Sequence, residues 1–163
     1  MKQVLAEGDP KAEGRLGLIA DAVRDATMNL SGAGLDLHID VGPDIDEVDP
    51  MIRHTVVRLL RECETNMLRY APRGARCRIL VWRAEGTMRV LAANPMAAER
   101  QPSSLSSGLG LRGLAERVDL MGGSFSAGAT GGEWVVDVSL PEGRGSEPFA
   151  VYAMGRPPWP AAP

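Results

Sequence analysis

The chain has 163 residues, 44% of them hydrophobic and 24% charged, and its formal net charge is -3. These values are typical of one globular domain with its own core, and the slightly acidic balance argues against nucleic acid as a partner. No apolar run approaches the ~20 residues of a membrane helix, and the N-terminus lacks the residue order of a signal peptide. We therefore expect a cytoplasmic protein without direct membrane contact.

The first predicted elements are a helix, a strand and a longer helix. Residues 1–13 are polar and predict a flexible N-terminus before a domain that spans residues 14–141. Apolar residues recur at helical spacing over residues 15–30, and they alternate with polar ones over residues 35–41, as in a half-buried strand. A longer helix is then predicted after Asp49 and Pro50, because these residue types favour the cap and the first helical position.

The second half of the chain predicts strands separated by one loop and one helix. Residues 76–83 and 87–93 alternate as two strands of a hairpin, and residues 95–107 form a loop long enough to cover a site. A helix from Leu111 to the glycine pair Gly122-Gly123 comes next. Two strands at residues 124–127 and 134–140 precede a Pro-rich, disordered tail at 142–163.

This order of elements predicts the fold class. Hairpins rule out a purely parallel sheet, and the helices alternate with strands in a way that favours two layers. We expect an α+β two-layer sandwich, with a mixed, mostly antiparallel sheet covered on one face by helices.

Two polar features of the chain point to a ligand site. Glu62 and Asn66 lie four residues apart in the predicted long helix, so both side chains project from one side of it. Gly108 and Gly110 precede the helix predicted from Leu111, and a helix start presents N–H groups and a positive dipole end to an anion. A pair suited to a metal ion and an anion-binding helix start together indicate a nucleoside triphosphate site.

Each feature also has a plain structural interpretation. Glu62 and Asn66 could be solvated residues of a helix face, and Gly108 and Gly110 could be turn or packing glycines. The cysteines at positions 63 and 77 belong to no C-x-x-C pair, so we expect buried free thiols.

The segment from Leu16 to Pro141 resembles the ATP-binding domain of sensor histidine kinases, in particular the subgroup that partners NarL-type response regulators. That domain belongs to the GHKL class of ATPases. The resemblance rests on an N box and a second glycine motif, followed by two glycine pairs: Glu62-x-x-Thr65-Asn66-x-x-Arg69, Gly108-x-Gly110-Leu111-x-Gly113-Leu114-x-Glu116-Arg117-Val118, Gly122-Gly123 and Gly131-Gly132-x-Trp134.

The resemblance implies ATP and Mg²⁺ as ligands and a role for each motif residue. Asn66 would ligate the Mg²⁺ that bridges the phosphates, Glu62 would be the catalytic residue that orients or deprotonates the nucleophile, and Arg69 would be a counter-charge. The loop 95–107 would be a lid over the nucleotide. The backbone close to the triphosphate would come from the second glycine motif: Gly108, Leu109, Gly110 and Leu111.

One family motif is altered in this chain. The family carries Asp-x-Gly-x-Gly, whose Asp accepts a hydrogen bond from the adenine amino group, whereas residues 92–98 read Ala-Ala-Asn-Pro-Met-Ala-Ala. Asn94 is the best candidate for the Asp position, because its side-chain oxygen can still accept from an amine, without charge assistance. A shift of one residue would put Ala93 there instead. Both glycines of that motif are replaced.

The expected activity needs a partner segment. His38 lies in a strand pattern and His54 in the N-box helix, so neither fits a phosphoacceptor. We expect a histidine kinase catalytic domain that transfers the γ-phosphoryl group of ATP to a histidine on another dimerisation segment or chain, and acts indirectly on a response regulator. Two alternatives stay open: a degenerate GHKL domain that acts as a protein-interaction module, and an anti-sigma-type serine kinase.

Overall fold

The computed structural model describes residues 17–97 and 108–143. The predictions for residues 1–13, for most of the loop at 95–107 and for nearly all of the tail at 142–163 lie outside the described residues. Three helices and five strands follow one another in the described part: α1 (Ile19–Gly32), β1 (Asp36–Val41), α2 (Pro50–Tyr70), β2 (Arg76–Ala84), β3 (Thr87–Pro95), α3 (Gly108–Leu120), β4 (Ser124–Thr130) and β5 (Glu133–Pro141).

The five strands form one mixed sheet. Its order is β1-β2-β3-β5-β4, with β1 parallel to β2 and every other neighbouring pair antiparallel. The three helices pack on one face: α2 contacts α1, α3 and β3, and α3 contacts β4 and β5. The predicted α+β two-layer sandwich is therefore confirmed.

The two faces of the sheet are distinguished by alternate residues of β3. Val90 and Ala92 belong to the large core between the sheet and the helices. Leu91 and Ala93 belong instead to a small apolar cluster on the opposite face, where they pack with Leu80. Because side chains alternate along a strand, Asn94 points to the same side as Ala92.

Residues at each end of the long helix α2 explain where it begins and ends. The Asp49 carboxylate accepts a hydrogen bond from the Met51 N–H at 2.8 Å, and Pro50 occupies the first helical position, as predicted. The helix ends before Ala71, whose backbone is extended (ψ 135°) because Pro72 follows it.

The glycine pair after α3 ends that helix in a Schellman motif. Gly122 adopts a left-handed φ of 76°, and the Gly123 N–H donates to the Val118 carbonyl at 2.9 Å. A Cβ at Gly123 would also collide with the Ser139 carbonyl oxygen. The prediction that this pair ends the helix is confirmed.

Several predicted boundaries were wrong by a few residues. The first helix, α1, runs from Ile19 to Gly32 instead of over residues 15–30. β3 continues to Pro95 and β4 to Thr130, because both strands keep backbone pairs with β5 beyond the alternating side-chain pattern. α3 begins at Gly108 rather than at Leu111, so the Gly-x-Gly segment is the first turn of the helix itself. Apolar periodicity cannot show such extensions, since glycine and alanine contribute little to it.

An ion pair links the residue after β5 to β2. Arg83 makes two 2.7 Å hydrogen bonds to the Glu142 carboxylate, and a third, 2.8 Å, to the Asp44 carbonyl. The two hydrogen bonds from Arg83 to Glu142 lower the pKa of the Glu142 carboxyl below its ordinary value.

Within the described ranges, no helix combines the length and apolarity needed to cross a membrane.

Candidate functional site

The two predicted motifs meet where α2 packs against the start of α3. The Glu62 carboxylate lies directly against Gly110: a Cβ added at Gly110 would be 2.5 Å from Oε2, 2.6 Å from Cδ and 2.7 Å from Oε1. Such distances are shorter than real Cβ contacts, so the present position of Glu62 requires glycine at 110. Since φ of Gly110 is not positive, this glycine serves close approach and not an unusual backbone conformation.

The first turn of α3 gives this contact its electrostatic character. The opening N–H groups of a helix have no partner within the helix, and they carry the positive end of its dipole. A half-buried carboxylate, that of Glu62, lies beside this turn. The arrangement stabilises negative charge at the start of α3, which is the property that an anion-binding site needs.

Asn66 lies one turn further along α2 and is buried, with 6% of its surface exposed. The solvated-face interpretation therefore does not describe Asn66, whereas Glu62, one turn earlier on α2, is half-buried. The difference arises because the α2 face that carries Asn66 packs over the end of β3. A buried carboxamide is costly unless its polar atoms have partners, so this position favours a polar role.

A narrow gap between α2 and the sheet contains Asn66 and Asn94 together. The gap has no room for a water molecule between the residues that line it, so a ligand could enter only if its walls separate. Its walls combine four residues of the main core with three polar side chains, one each from α2, β3 and β5: Cys63, Met67, Ala92 and Val136, and Asn66, Asn94 and Trp134.

Asn94 is the residue of the altered motif that faces this gap. It is 2% exposed, and its Nδ2 donates to the Pro95 carbonyl at 2.9 Å, which leaves the side-chain oxygen as an acceptor. Ala93 lies on the opposite face of the sheet. Of the two residues considered for the Asp position, only Asn94 is placed where it could contact a ligand in the gap.

Trp134, which follows the glycine pair Gly131-Gly132, combines core packing with an unpaired polar atom. The residue is half-buried and packs against the main core, but its Nε1 is buried without a hydrogen-bond partner. Trp134 pairs with Asn94 in the β3–β5 ladder, so both side chains lie on the helix-facing side of the sheet. Alternation along β5 could have indicated the face, but no sequence pattern reveals an unpaired indole.

The remaining predicted site residues are not among those that line the gap. Arg69 is exposed, and its guanidinium carbon lies 6.0 Å from the centre of the Tyr70 ring, at the limit of a cation–π contact. Gly108 and Leu109 form the first turn of α3. The Leu111 side chain is buried in the main core, so only its backbone could serve a ligand.

The donor atoms suit Mg²⁺ better than a softer metal ion. Mg²⁺ binds hard oxygen ligands, often one or two from the protein with the rest from phosphates and water, and Asn66 and Glu62 supply such oxygens. Residues 17–97 and 108–143 contain no group of three or more His, Cys, Asp and Glu side chains that could hold a metal ion. Burial, followed by the charge of Glu62, raises the pKa of Cys63 to about 12, so its thiol is protonated and a poor metal ligand.

Several solved structures with the same arrangement of helices and strands are histidine kinases. The catalytic domain of histidine kinase ThkA superimposes with a TM-score of 0.54 at 17% identity, over 79% of this chain and 92% of that domain. The fold is that of a histidine kinase ATP-binding domain. Two further matches are the Acinetobacter baumannii histidine kinase AdeS (TM-score 0.56, 14% identity, 76% of this chain) and the histidine kinase domain of the Erythrobacter litoralis blue-light activated kinase (0.58, 17%, 77%).

The likeness is structural and partial. The chain spans 62% of the AdeS structure and 61% of the Erythrobacter domain, so it corresponds to part of those proteins. No family model matches the sequence, and no curated protein matches it either. At these identities the comparisons establish the fold, and the chemistry rests on the residues of this chain.

Proposed function

We propose that this chain is the ATP- and Mg²⁺-binding catalytic domain of a sensor histidine kinase, which transfers the γ-phosphoryl group of ATP to a histidine on another segment or chain. One observation carries the proposal: the Glu62 carboxylate lies against Gly110 at the start of α3, with Asn66 buried one turn away on α2. A carboxylate, a carboxamide and a helix start are therefore close enough to act on one triphosphate.

The proposed roles follow from the chemistry of each group. When bound, Mg²⁺ supplies charge neutralisation for the phosphates, and the Asn66 side-chain oxygen would hold it together with phosphate oxygens. The N–H groups from Gly108 to Leu111 would bind phosphate oxygens. Glu62 would then leave the helix start, because two anions repel each other there, and would orient the incoming histidine nucleophile or accept its proton.

Arg69 has a weaker case in this proposal. Its side chain is exposed beside Tyr70, three residues beyond Asn66 on α2. From there it could reach a triphosphate only at its outer edge, where solvent screening reduces the effect of a charge. We therefore propose Arg69 only as a peripheral counter-charge to the phosphates.

The biological setting belongs to the same proposal. The glycine helix with Glu116-Arg117 supports the subgroup that partners NarL-type response regulators, and a regulator would act downstream of the phosphorylated histidine. Such domains work in the cytoplasm, where ATP is present.

Nucleotide titration tests the proposal. We expect Mg²⁺-dependent binding of a non-hydrolysable ATP analogue, and we expect Asn66→Ala to abolish the Mg²⁺ dependence. Asn29→Ala is the matched control, since Asn29 is exposed on α1 and its amide contacts Glu64 instead of the gap. Undetectable binding at millimolar analogue with Mg²⁺ would refute the proposal.

The second candidate is a GHKL domain that has lost catalysis and acts as a protein-interaction module. The gap around Asn94 is closed even to water, and the family's Asp-x-Gly-x-Gly motif is altered, and both observations favour this candidate. An ATP-induced rise in melting temperature that disappears in Asn66→Ala would argue against it. An anti-sigma-type serine kinase would differ in its product, which would be acid-stable phosphoserine instead of acid-labile phosphohistidine.

A further inference from the structure

The indole N–H of Trp134 is an unexplained polar group in the described part of the chain. Its Nε1 is buried and has no hydrogen-bond partner among the described residues. Leaving a buried donor unpaired is unfavourable, and native proteins do so rarely. Because Trp can only donate, its partner must be an acceptor.

The surroundings of this N–H point to a ligand as the missing acceptor. Trp134 is opposite Asn94 in the β3–β5 ladder, and both line the gap that Asn66 borders from α2. The Asn94 amide nitrogen is already committed to the Pro95 carbonyl at 2.9 Å, so its oxygen is the group left to bind a ligand. The two paired residues that line the gap thus have one acceptor, the Asn94 oxygen, and one unpaired donor, the Trp134 N–H, on adjacent strands.

We propose that Trp134 is a specificity-determining residue of the site, which binds the base of the nucleotide beside Asn94. The Asn94 oxygen would accept from the exocyclic amino group of a 6-aminopurine, and the Trp134 N–H would donate to a ring nitrogen beside that amino group. The inference rests on the proposed function. The Trp134 N–H would make a second hydrogen bond to the base. This bond would offset the weaker hydrogen bond that a neutral Asn94 makes in comparison with a charged carboxylate.

Entry of a base requires the gap to widen. Trp134 is half-buried and its indole N–H has no hydrogen-bond partner, so the ring can move outward without breaking a hydrogen bond of its own. The core behind it, Met67 and Val136, can stay in place. Base binding is therefore coupled to a displacement of this side chain.

Affinity measurements that combine one protein variant with two ATP analogues test the proposal. Trp134→Phe removes the N–H and keeps an aromatic ring, and 1-deaza- and 7-deaza-ATP each lack one of the two ring nitrogens beside the amino group. We expect Trp134→Phe to weaken ATP binding about 3- to 10-fold, as for one neutral hydrogen bond. One of the deaza analogues should bind the wild-type protein more weakly by a similar factor, and should show no further loss with Trp134→Phe.

The control is Trp82→Phe, which makes the same change on the opposite face of the sheet. It should leave the affinity for ATP unchanged, and melting curves of both variants check that they are folded. If ATP binds but Trp134→Phe has wild-type affinity for ATP and both analogues, the inference is wrong while the proposed function stands. If the wild-type protein binds no nucleotide, both are wrong.

Discussion

The contact between Glu62 and Gly110 leads to a prediction about two glycines of one helix. Both Gly110 and Gly113 lie in α3 without a positive φ, so alanine fits the backbone at either position. At Gly113 an added Cβ meets nothing within 4 Å, whereas at Gly110 it meets all three atoms of the Glu62 carboxyl group. The same substitution therefore tests the site at one position and only helix propensity at the other.

The expected size of each effect follows from these distances. Gly113→Ala should stabilise the fold by about 0.5–1 kcal/mol, because alanine loses less backbone entropy on folding, and should raise the Tm by about 1–4 °C. In Gly110→Ala the nearest carboxylate atom must move from 2.5 Å to at least 3.4 Å. That atom is the end of a flexible side chain, so the fold should survive.

Nucleotide binding should separate the two variants. Gly110→Ala places a methyl group where a phosphate would approach the helix start, and it displaces Glu62. Loss of one hydrogen bond to a charged group is worth about 1.5–3 kcal/mol, so we expect ATP·Mg²⁺ affinity to fall roughly 10- to 150-fold. Gly113→Ala should bind as the wild type does.

Calorimetric titration with ATP·Mg²⁺ and thermal melting of the three proteins provide the measurements. Equal affinity of Gly110→Ala and Gly113→Ala for ATP would refute the reasoning, because it would show that the close contact at Gly110 is not part of a phosphate site. A large fall in the Tm of Gly110→Ala would contradict the expectation that the Glu62 side chain can move aside.

Two further predictions concern titratable groups. Arg83 lowers the pKa of Glu142 below its ordinary value of 4.5, so the stabilisation is present above that pH and is lost as the pH falls through the folded-state pKa. The Tm difference between wild type and Glu142→Gln, measured from pH 7 to 3, should shrink at the acid end, and a constant difference would contradict the ion pair. Burial raises the pKa of Cys63 from 9.0 to about 12, so its contribution to stability is present below pH 9 and is lost as the pH rises from about 9 to about 12. In a Cys77→Ala background, iodoacetamide at pH 8 should label native Cys63 far more slowly than unfolded protein, and equal labelling rates would show that the thiol is not buried.

Much of the fold could be predicted because its signals are local. Apolar spacing gave the type and order of the described elements, and Asp49-Pro50 and Gly122-Gly123 marked helix ends through their own backbone chemistry. Other boundaries failed, such as those at Gly108, Pro95 and Thr130, because they depend on backbone hydrogen bonds that side-chain periodicity does not report.

The candidate site was less predictable because its geometry is long-range. Glu62 and Asn66 share a helix face, so their common side was evident, but the burial of Asn66 depends on how α2 packs over β3. The choice between Asn94 and Ala93 likewise needed the face of the sheet, and the face depends on the register with β5.

The sequence by itself determined the α+β class, the N-cap of α2 and the two motifs, since each depends on residues close together in the chain. Only the tertiary structure decided that Glu62 touches Gly110 and that the Trp134 indole N–H is left without a partner beside Asn94. Both facts arise from contacts between elements far apart in sequence, where packing and strand register determine which atoms meet.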